Sequence, residues 1–247
     1  MIYIIGIGPG GIDEITPRAY NIMKNCFMIF GYKTYVNLVI PYMTDKAFCA
    51  FPMGSEIERC KEVLQLAQNS QRDVALISSG DSGVYGMAGL MMEIASGSGQ
   101  EVRVIPGITA ANSCAAILGA PLMNDYVNIS LSDIMTPWEV ISRRLAAACI
   151  GDFVICIYNP ASKHRPDNFK KACKILLEYK SPKTPAGLVR NAGRTGESSL
   201  VTELRKIKSA DVDMFCTIII GNSQSYILDG KIITPRGYNT AHLNMEE

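Results

Sequence analysis

Short apolar runs, glycine-rich turns and helical repeats alternate along the whole chain. Residues 2–5 are a β-branched run ending in glycines, the pattern of a buried parallel strand feeding a loop. Thr16-Pro17 is a helix start, with an N-cap hydroxyl and proline at the first helical position, and predicts a helix to about Met23. Residues 27–30 read as a second strand. Residues 56–68 place Ile57, Val63, Leu64, Leu66 and Ala67 at helical spacing. A strand at 73–78 leads into a glycine-rich loop and a helix from about Val84 to Ala95. A strand at 102–105 ends at Pro106-Gly107, and a helix of small residues covers 109–118.

The alternation resumes after Gly119-Ala120-Pro121. Residues 127–131 predict a strand, and Thr136-Pro137 repeats the earlier cap signal for a helix to about Ala148. A strand at 153–158 ends at Asn159-Pro160, and a helix follows at 168–179. Further strands fall at 186–189, 199–201 and 215–220, and the residues after about Thr240 read as a frayed end. Strands alternating with helices predict an α/β protein with mostly parallel sheets. The break near residues 119–122 divides the chain into two similar halves, with no internal repeat.

Composition narrows the class. Apolar residues make up 48% of the 247 residues and charged residues 19%, enough to bury a core. The net charge of +1 gives no overall field for nucleic acid or an acidic membrane, so neither is an expected partner. Eight cysteines show no CxxC spacing and only two histidines exist, His164 and His242, so no protein-bound metal is expected. The cysteines sit in apolar surroundings, as in FVICIY, and read as small buried hydrophobes of a reducing cytosol. The first residues lack the charge and length of a signal peptide, and no apolar run reaches membrane-spanning length. The expected localisation is cytoplasmic.

Three loops carry the chemistry. Gly6, Gly8 and Gly11 match GxGxxG, a pattern that suits dinucleotide pyrophosphate. Against a nicotinamide enzyme, the helix signal arrives late, at Thr16-Pro17. The second strand also ends in Phe30-Gly31-Tyr32-Lys33, with no carboxylate for a ribose. The second loop, SSGDSGVYG at 78–86, lets a ligand approach the backbone, and Asp81 is either a ligand acceptor or a turn cap. The third loop starts at Pro106-Gly107. All three lie at the carboxyl ends of predicted strands, where open parallel sheets bind ligands.

These segments resemble the tetrapyrrole (corrin/porphyrin) methylases. The likeness is carried by GIGPGGIDEITPRA (6–19), SSGDSGVYGMAG (78–89) and PGITAANSCAAILGAPL (106–122), and it covers essentially the whole chain. Within the family it is nearest to the branch that methylates C-17 of a precorrin-3 or cobalt-factor III macrocycle. The segments that carry this are GYKTYVNLV (31–39), SLSDIMTPWEVISRRL (130–145), IYNPASKHR (157–165), GLVRNAGRTGE (187–197) and DMFCTIIIGNSQS (213–225). The resemblance implies a class III methyltransferase of two αβα domains, 1–118 and 119–247, with S-adenosylmethionine (SAM) between them, releasing S-adenosylhomocysteine. It implies cobalamin biosynthesis, a corrinoid substrate and a homodimer. One departure is Ser82, which stands where the family's second motif has proline.

By motif, the implied cofactor contacts are Pro9, Ser79, Gly80, Asp81, Val84, Thr109, Ala110, Tyr158 and Ala192. In the family, methylation at C-17 accompanies contraction of the macrocycle, a step that moves protons. Asp133 and Ser132 are the expected acid-base pair, with strand-end and helix-cap chemistry as their plainer reading. Lys163, Arg165, Arg190 and Arg194 are expected to meet the substrate's carboxylates. The competing readings are another corrin-ring carbon methylase, a diphthine-synthase-like protein methylase, a nicotinamide oxidoreductase and a non-catalytic SAM-binding protein.

Overall fold

The computed structural model describes residues 1–238, so His242 and the expected frayed end lie outside the described residues. The chain divides into two compact units. One is Met1–Ala110 with Gly193–Thr195; the other is Ala111–Ala192 with the described residues from Gly196 onward. The helix that the sequence placed at the end of the first domain therefore belongs, from Ala111, to the second.

The first unit contains β1 (Ile2–Gly6), α1 (Pro17–Asn25), β2 (Met28–Tyr32), α2 (Lys33–Val39), β3 (Ala47–Phe51), α3 (Glu56–Ser70), β4 (Val74–Ser78), α4 (Ala88–Ala95) and β5 (Val102–Ile105). Thr16 caps α1 by accepting a hydrogen bond from the Ala19 amide at 3.2 Å, with Pro17 in the first turn as expected. All the strands are parallel, in the order β3-β2-β4-β1-β5. Side chains alternate across the sheet. Ile2, Ile4, Val74 and Leu76 pack under α3 and α4, while Ile5, Ala75 and Ile77 pack under α1 and α2. This unit is the predicted αβα sandwich.

The order has a functional consequence. From β1 the chain runs toward β2 on one side of the sheet; from β4 it runs toward β5 on the other. β1 and β4 are neighbours whose onward helices, α1 and α4, cover opposite faces. Such a topological switch point opens a crevice at the carboxyl ends of the two strands.

The second unit contains α5 (Ala110–Leu118, from Ala111), β6 (Gly119–Ala120), β7 (Tyr126–Ser130), α6 (Trp138–Ile150), β8 (Val154–Tyr158), α7 (Asn168–Tyr179), β9 (Pro185–Arg190), β10 (Ser198–Glu203), α8 (Leu204–Ile207), β11 (Cys216–Ile220), β12 (Tyr226–Leu228) and β13 (Lys231–Ile233). Its main sheet runs β10-β9-β11-β8-β7. Here the expectation of mostly parallel strands is corrected. Only β7 and β8 run parallel; β8-β11, β11-β9 and β9-β10 are antiparallel. The reason is the connections. β9 passes to β10 through the short loop 191–197, too short for the helical crossover that a parallel neighbour requires. The α/β layering itself holds. Ile155 and Ile157 face α6, α7 and α8, and Val154 and Cys156 face α5.

Thr136 is a second correction. The residue flanking α6 is Pro137, and no side-chain hydrogen bond caps that helix. Glu139 does fall in its first turn, where a carboxylate is favoured by the helix dipole. At the other end of this unit, Lys180 closes α7. Its side chain is 5% exposed, its Nζ donates to the Phe153 carbonyl at 3.1 Å, and Asp152 lies 3.8 Å away. Burial lowers the Lys180 pKa, an effect that Cys149 and Asp152 partly oppose.

Seven of the eight cysteines are buried and all eight are free thiols. Burial pushes Cys26, Cys114, Cys156 and Cys173 up to about 12 from an ordinary 9.0. The folded chain therefore holds protons that the unfolded chain releases. That stabilisation is complete below about pH 9 and is lost as pH rises toward about 12. The urea midpoint is expected to fall across this range, and less steeply in Cys156→Ala. A flat profile would remove the thiols from the balance.

Candidate active site

Loop 1 (7–11) follows β1, loop 2 (79–87) follows β4, and loop 3 (106–109) follows β5. Because β1 lies between β4 and β5, the three loops leave the sheet side by side. They then bind one another through backbone. The Gly80 amide donates to the Gly8 carbonyl at 2.7 Å and the Gly8 amide to the Gly80 carbonyl at 3.1 Å. A Cβ on Gly107 would stand 2.3 Å from the Gly80 oxygen and 2.6 Å from that of Gly6; one on Gly6 would stand 2.6 Å from the Gly80 oxygen. Gly80 also has φ +67°, a conformation that glycine adopts without strain. Backbone here packs on backbone, which only glycine permits.

Asp81 fastens loop 2. Its Oδ1 accepts from the Gly83 amide at 2.8 Å and its Oδ2 from the Gly107 amide, across in loop 3, at 3.0 Å. Ser82 is fully buried, with its hydroxyl 3.5 Å from the Ile4 carbonyl. The Ser82 carbonyl lies so close to Gly86 that a Cβ there would sit at 2.5 Å. Tyr85 has φ +54°, so no helix can run through it, and α4 starts at Ala88 instead of near Val84.

A fourth segment joins this cluster. Gly193–Thr195 belongs to the first unit. Arg194 donates from Nε to the Pro9 carbonyl at 2.6 Å and from Nη2 to the Ser79 hydroxyl. Its stem covers Gly10, where a Cβ would lie 2.4 Å from Arg194 Cγ. Gly193 has φ +67°, and a Cβ there would stand 3.0 Å from the Pro9 ring. Burial pulls the Arg194 pKa below its ordinary value, and Tyr35 opposes this. Burial pushes the Tyr35 hydroxyl up, and Arg194 partly offsets it.

In the second unit, the loops after β7 and β8 are bound together. The Leu131 carbonyl accepts from Asn168 Nδ2 at 2.9 Å and from Arg165 Nη1 at 3.4 Å; the Asn159 carbonyl accepts from the same Nη1 at 3.2 Å. Asn159 Nδ2 donates to the Ser130 hydroxyl at 3.0 Å. Asp133 lies 3.9 Å from Arg165 Nε and is one-third exposed. Ile134 and Met135, next in the chain, are strongly exposed. Tyr158 ends β8, and its hydroxyl accepts from the Ala111 amide at 2.8 Å.

Residues 1–208 match the family of Tetrapyrrole (Corrin/Porphyrin) Methylases. The chain belongs to this family. It is 47% identical over 240 residues to the "Probable cobalt-factor III C(17)-methyltransferase" of Salmonella typhimurium, covering 96% of this chain and 99% of that protein. It is 44% identical to the "Cobalt-factor III methyltransferase" of Priestia megaterium, covering 100% of this chain but only 47% of that longer protein. The crystal structure of the methyltransferase CobJ superposes with a TM-score of 0.88 at 33% identity, covering 95% of this chain and 99% of CobJ. The cobalt precorrin-4 methyltransferase CbiF superposes at 0.73 with 19% identity, a likeness of fold.

In this methylase, the expected contact residues of the first unit fall in one cluster. Pro9, Ser79, Gly80 and Asp81 form it, and Val84 donates its amide to the Asp81 carbonyl at 3.2 Å. Thr109 and Ala110 lie beside Gly80, whose added Cβ would come within 3.8 Å of both. In the second unit, Tyr158 and Ala192 both pack against the core around Ala111 and Cys114. Ser132 donates its amide to the Ser130 hydroxyl at 3.2 Å.

Three of the four basic residues named as carboxylate anchors have internal partners. Arg190 pairs with Asp213 and, at 3.3 Å, with Asp211, so its charge is already balanced. Arg165 turns inward to two carbonyls, and Arg194 braces loops 1 and 2. Lys163 is exposed, as is His164. Sequence reasoning missed the partners of Arg194, and the signal was the glycine beside it: Gly193-Arg194 can approach Gly10 closely only because both positions lack a side chain. Among the described residues no group of three His, Cys, Asp or Glu could hold a metal ion, and no helix is long and apolar enough to cross a membrane.

Gly107→Ala is expected to cost about 3 kcal/mol, because its methyl would meet backbone that cannot move aside. Gly89→Ala, where a Cβ meets nothing within 4 Å, serves as control. Urea unfolding measures both, and equal midpoints would refute the backbone-packing account.

Proposed function

We propose that this methylase transfers the methyl group of SAM to C-17 of a cobalt-factor III or precorrin-3 macrocycle, with ring contraction, in cobalamin biosynthesis. The observation that carries the reading is the convergence of loops 1, 2 and 3 at the switch point of the first sheet, in a chain nearly half identical to a C(17)-methyltransferase over its full length. The relatives named for cobalt-factor III favour the cobalt-loaded substrate over the metal-free one.

The cluster fits SAM by its chemistry. Val84 is apolar and half-buried, Gly80 has no side chain to keep a ligand from the backbone, and Asp81 and Arg194 supply opposite charges. Pro9, Ser79, Gly80, Asp81, Val84, Thr109 and Ala110 would hold the donor, with Tyr158 and Ala192 completing the proposed contacts. SAM supplies an electrophilic methyl group on a sulfonium and leaves as S-adenosylhomocysteine. The chain's own residues have only to orient it, since C-17 is activated by conjugation with a pyrrole nitrogen.

Ring contraction moves protons, and Asp133 is our candidate for that step, with Ser132 beside it. Lys163 is the best placed of the basic residues to meet a substrate carboxylate, because it is exposed. A homodimer in the cytoplasm belongs to the same reading; the exposed apolar residues Tyr226, Ile227 and Leu228 of β12 supply a surface for a second copy.

Incubation with SAM and cobalt-factor III, read by mass spectrometry, is expected to show a gain of one methyl group. No methyl on either cobalt-factor III or precorrin-3B would reject the proposal, and SAM binding without transfer would favour the non-catalytic reading. Asp133→Asn is expected to slow turnover by about 100-fold, the low end for a general acid or base, with SAM affinity unchanged. Normal turnover would remove Asp133 from the chemistry.

A further inference from the structure

Arg194 and Ser79 form a dyad whose electrostatic sense is defined by its neighbours. The guanidinium is partly buried against loop 1, held by the Pro9 carbonyl, and its Nη2 donates to the Ser79 hydroxyl. A serine hydroxyl carries one proton and two lone pairs. Because Ser79 Oγ accepts from Arg194, its own proton points elsewhere. Donation from a cation also polarises the O–H bond and makes it a stronger donor. Two residues on, past Gly80, the Asp81 carboxylate is fixed by the Gly83 and Gly107 amides. Each carboxylate oxygen retains acceptor capacity beyond the one bond it makes there.

The loop therefore carries a positively biased donor and a fixed negative charge two residues apart. SAM has a sulfonium, an ammonium and one carboxylate. The two cations would be repelled by the guanidinium and attracted by Asp81. The carboxylate is the only anionic group that the Arg194 side can accept.

We propose that the Arg194–Ser79 pair recognises the carboxylate of the methionine moiety of SAM, with Ser79 as the hydrogen-bond donor and Arg194 as the residue that orients and polarises it. Arg194 thus acts on the donor SAM through Ser79, in place of the substrate-carboxylate role expected from sequence. The proposal rests on the SAM reading above and deepens it. It also accounts for Gly10 and Gly193: a side chain on Gly10 would collide with the arginine stem, and one on Gly193 would crowd Pro9.

Decarboxylated SAM separates recognition from support, because it keeps the sulfonium and the ammonium and lacks only the carboxylate. Calorimetry with the full chain would measure both ligands against wild type, Ser79→Ala, Arg194→Ala, Arg194→Lys and the double alanine variant. Ser79→Ala and Arg194→Ala are expected to weaken SAM about tenfold, the scale of one charge-assisted hydrogen bond, and to change decarboxylated SAM less than twofold. The double variant is expected to match Arg194→Ala alone, since the two residues act as one unit. Arg194→Lys should recover part of the loss, because an ammonium restores the charge but not the fork. Ser79→Ala removes a single oxygen and keeps the test valid if Arg194→Ala disturbs the loops. Equal losses for both ligands would reduce the pair to a loop brace and overturn the inference alone. Wild-type protein that binds neither ligand would overturn the SAM reading as well.

Discussion

The loop cluster of the first unit depends on the backbone of three glycines. Gly6, Gly80 and Gly107 come from three different strand ends; a Cβ on Gly6 or Gly107 would collide with the neighbouring backbone, and Gly80 turns at φ +67°. That contact brings loops 1, 2 and 3 into one surface. Asp81 then acts as a clasp across loops 2 and 3, and Arg194 as a clasp across loops 1 and 2. The parallel order β4-β1-β5 makes such a meeting possible; the glycines make it tight.

The first sheet was largely legible. Runs such as VALIS and IYII are continuous apolar stretches leading into glycine-rich loops, and buried parallel strands have that signature. Thr16-Pro17 marked a helix start correctly because both of its signals are local. What failed was longer in range or too short to show a period. α2 has seven residues and β3 five, and neither displays enough repeat to separate from a loop. Thr136-Pro137 resembled Thr16-Pro17 in sequence yet makes no cap, since Pro137 itself takes the flanking position. The sense of the strands in the second sheet is set by connection length and by which edge each strand joins, and burial patterns say nothing about either.

The site was legible to a similar depth. Motif reading selected the residues of the loop cluster, because glycine spacing reports where backbone must come close. It did not show the partners of the arginines. A guanidinium looks the same in a sequence whether it faces water, a ligand or a buried carbonyl; only the fold shows Arg190 against Asp211 and Asp213, and Arg165 against Leu131 and Asn159. Asp133 keeps its interest for the opposite reason, since it is partly exposed on a loop whose base is firmly bonded.

Lys180 has a bearing on how the second unit responds to its surroundings. Lys180 follows the last residue of α7, and its ammonium bonds the Phe153 carbonyl just past the end of α6, with Asp152 beside it, almost sealed from solvent. Mobile ions screen charges that water can reach and have little effect on those it cannot. The junction of these two helices should therefore keep its electrostatic stabilisation in concentrated salt, where the surface ion pairs of the same unit fade.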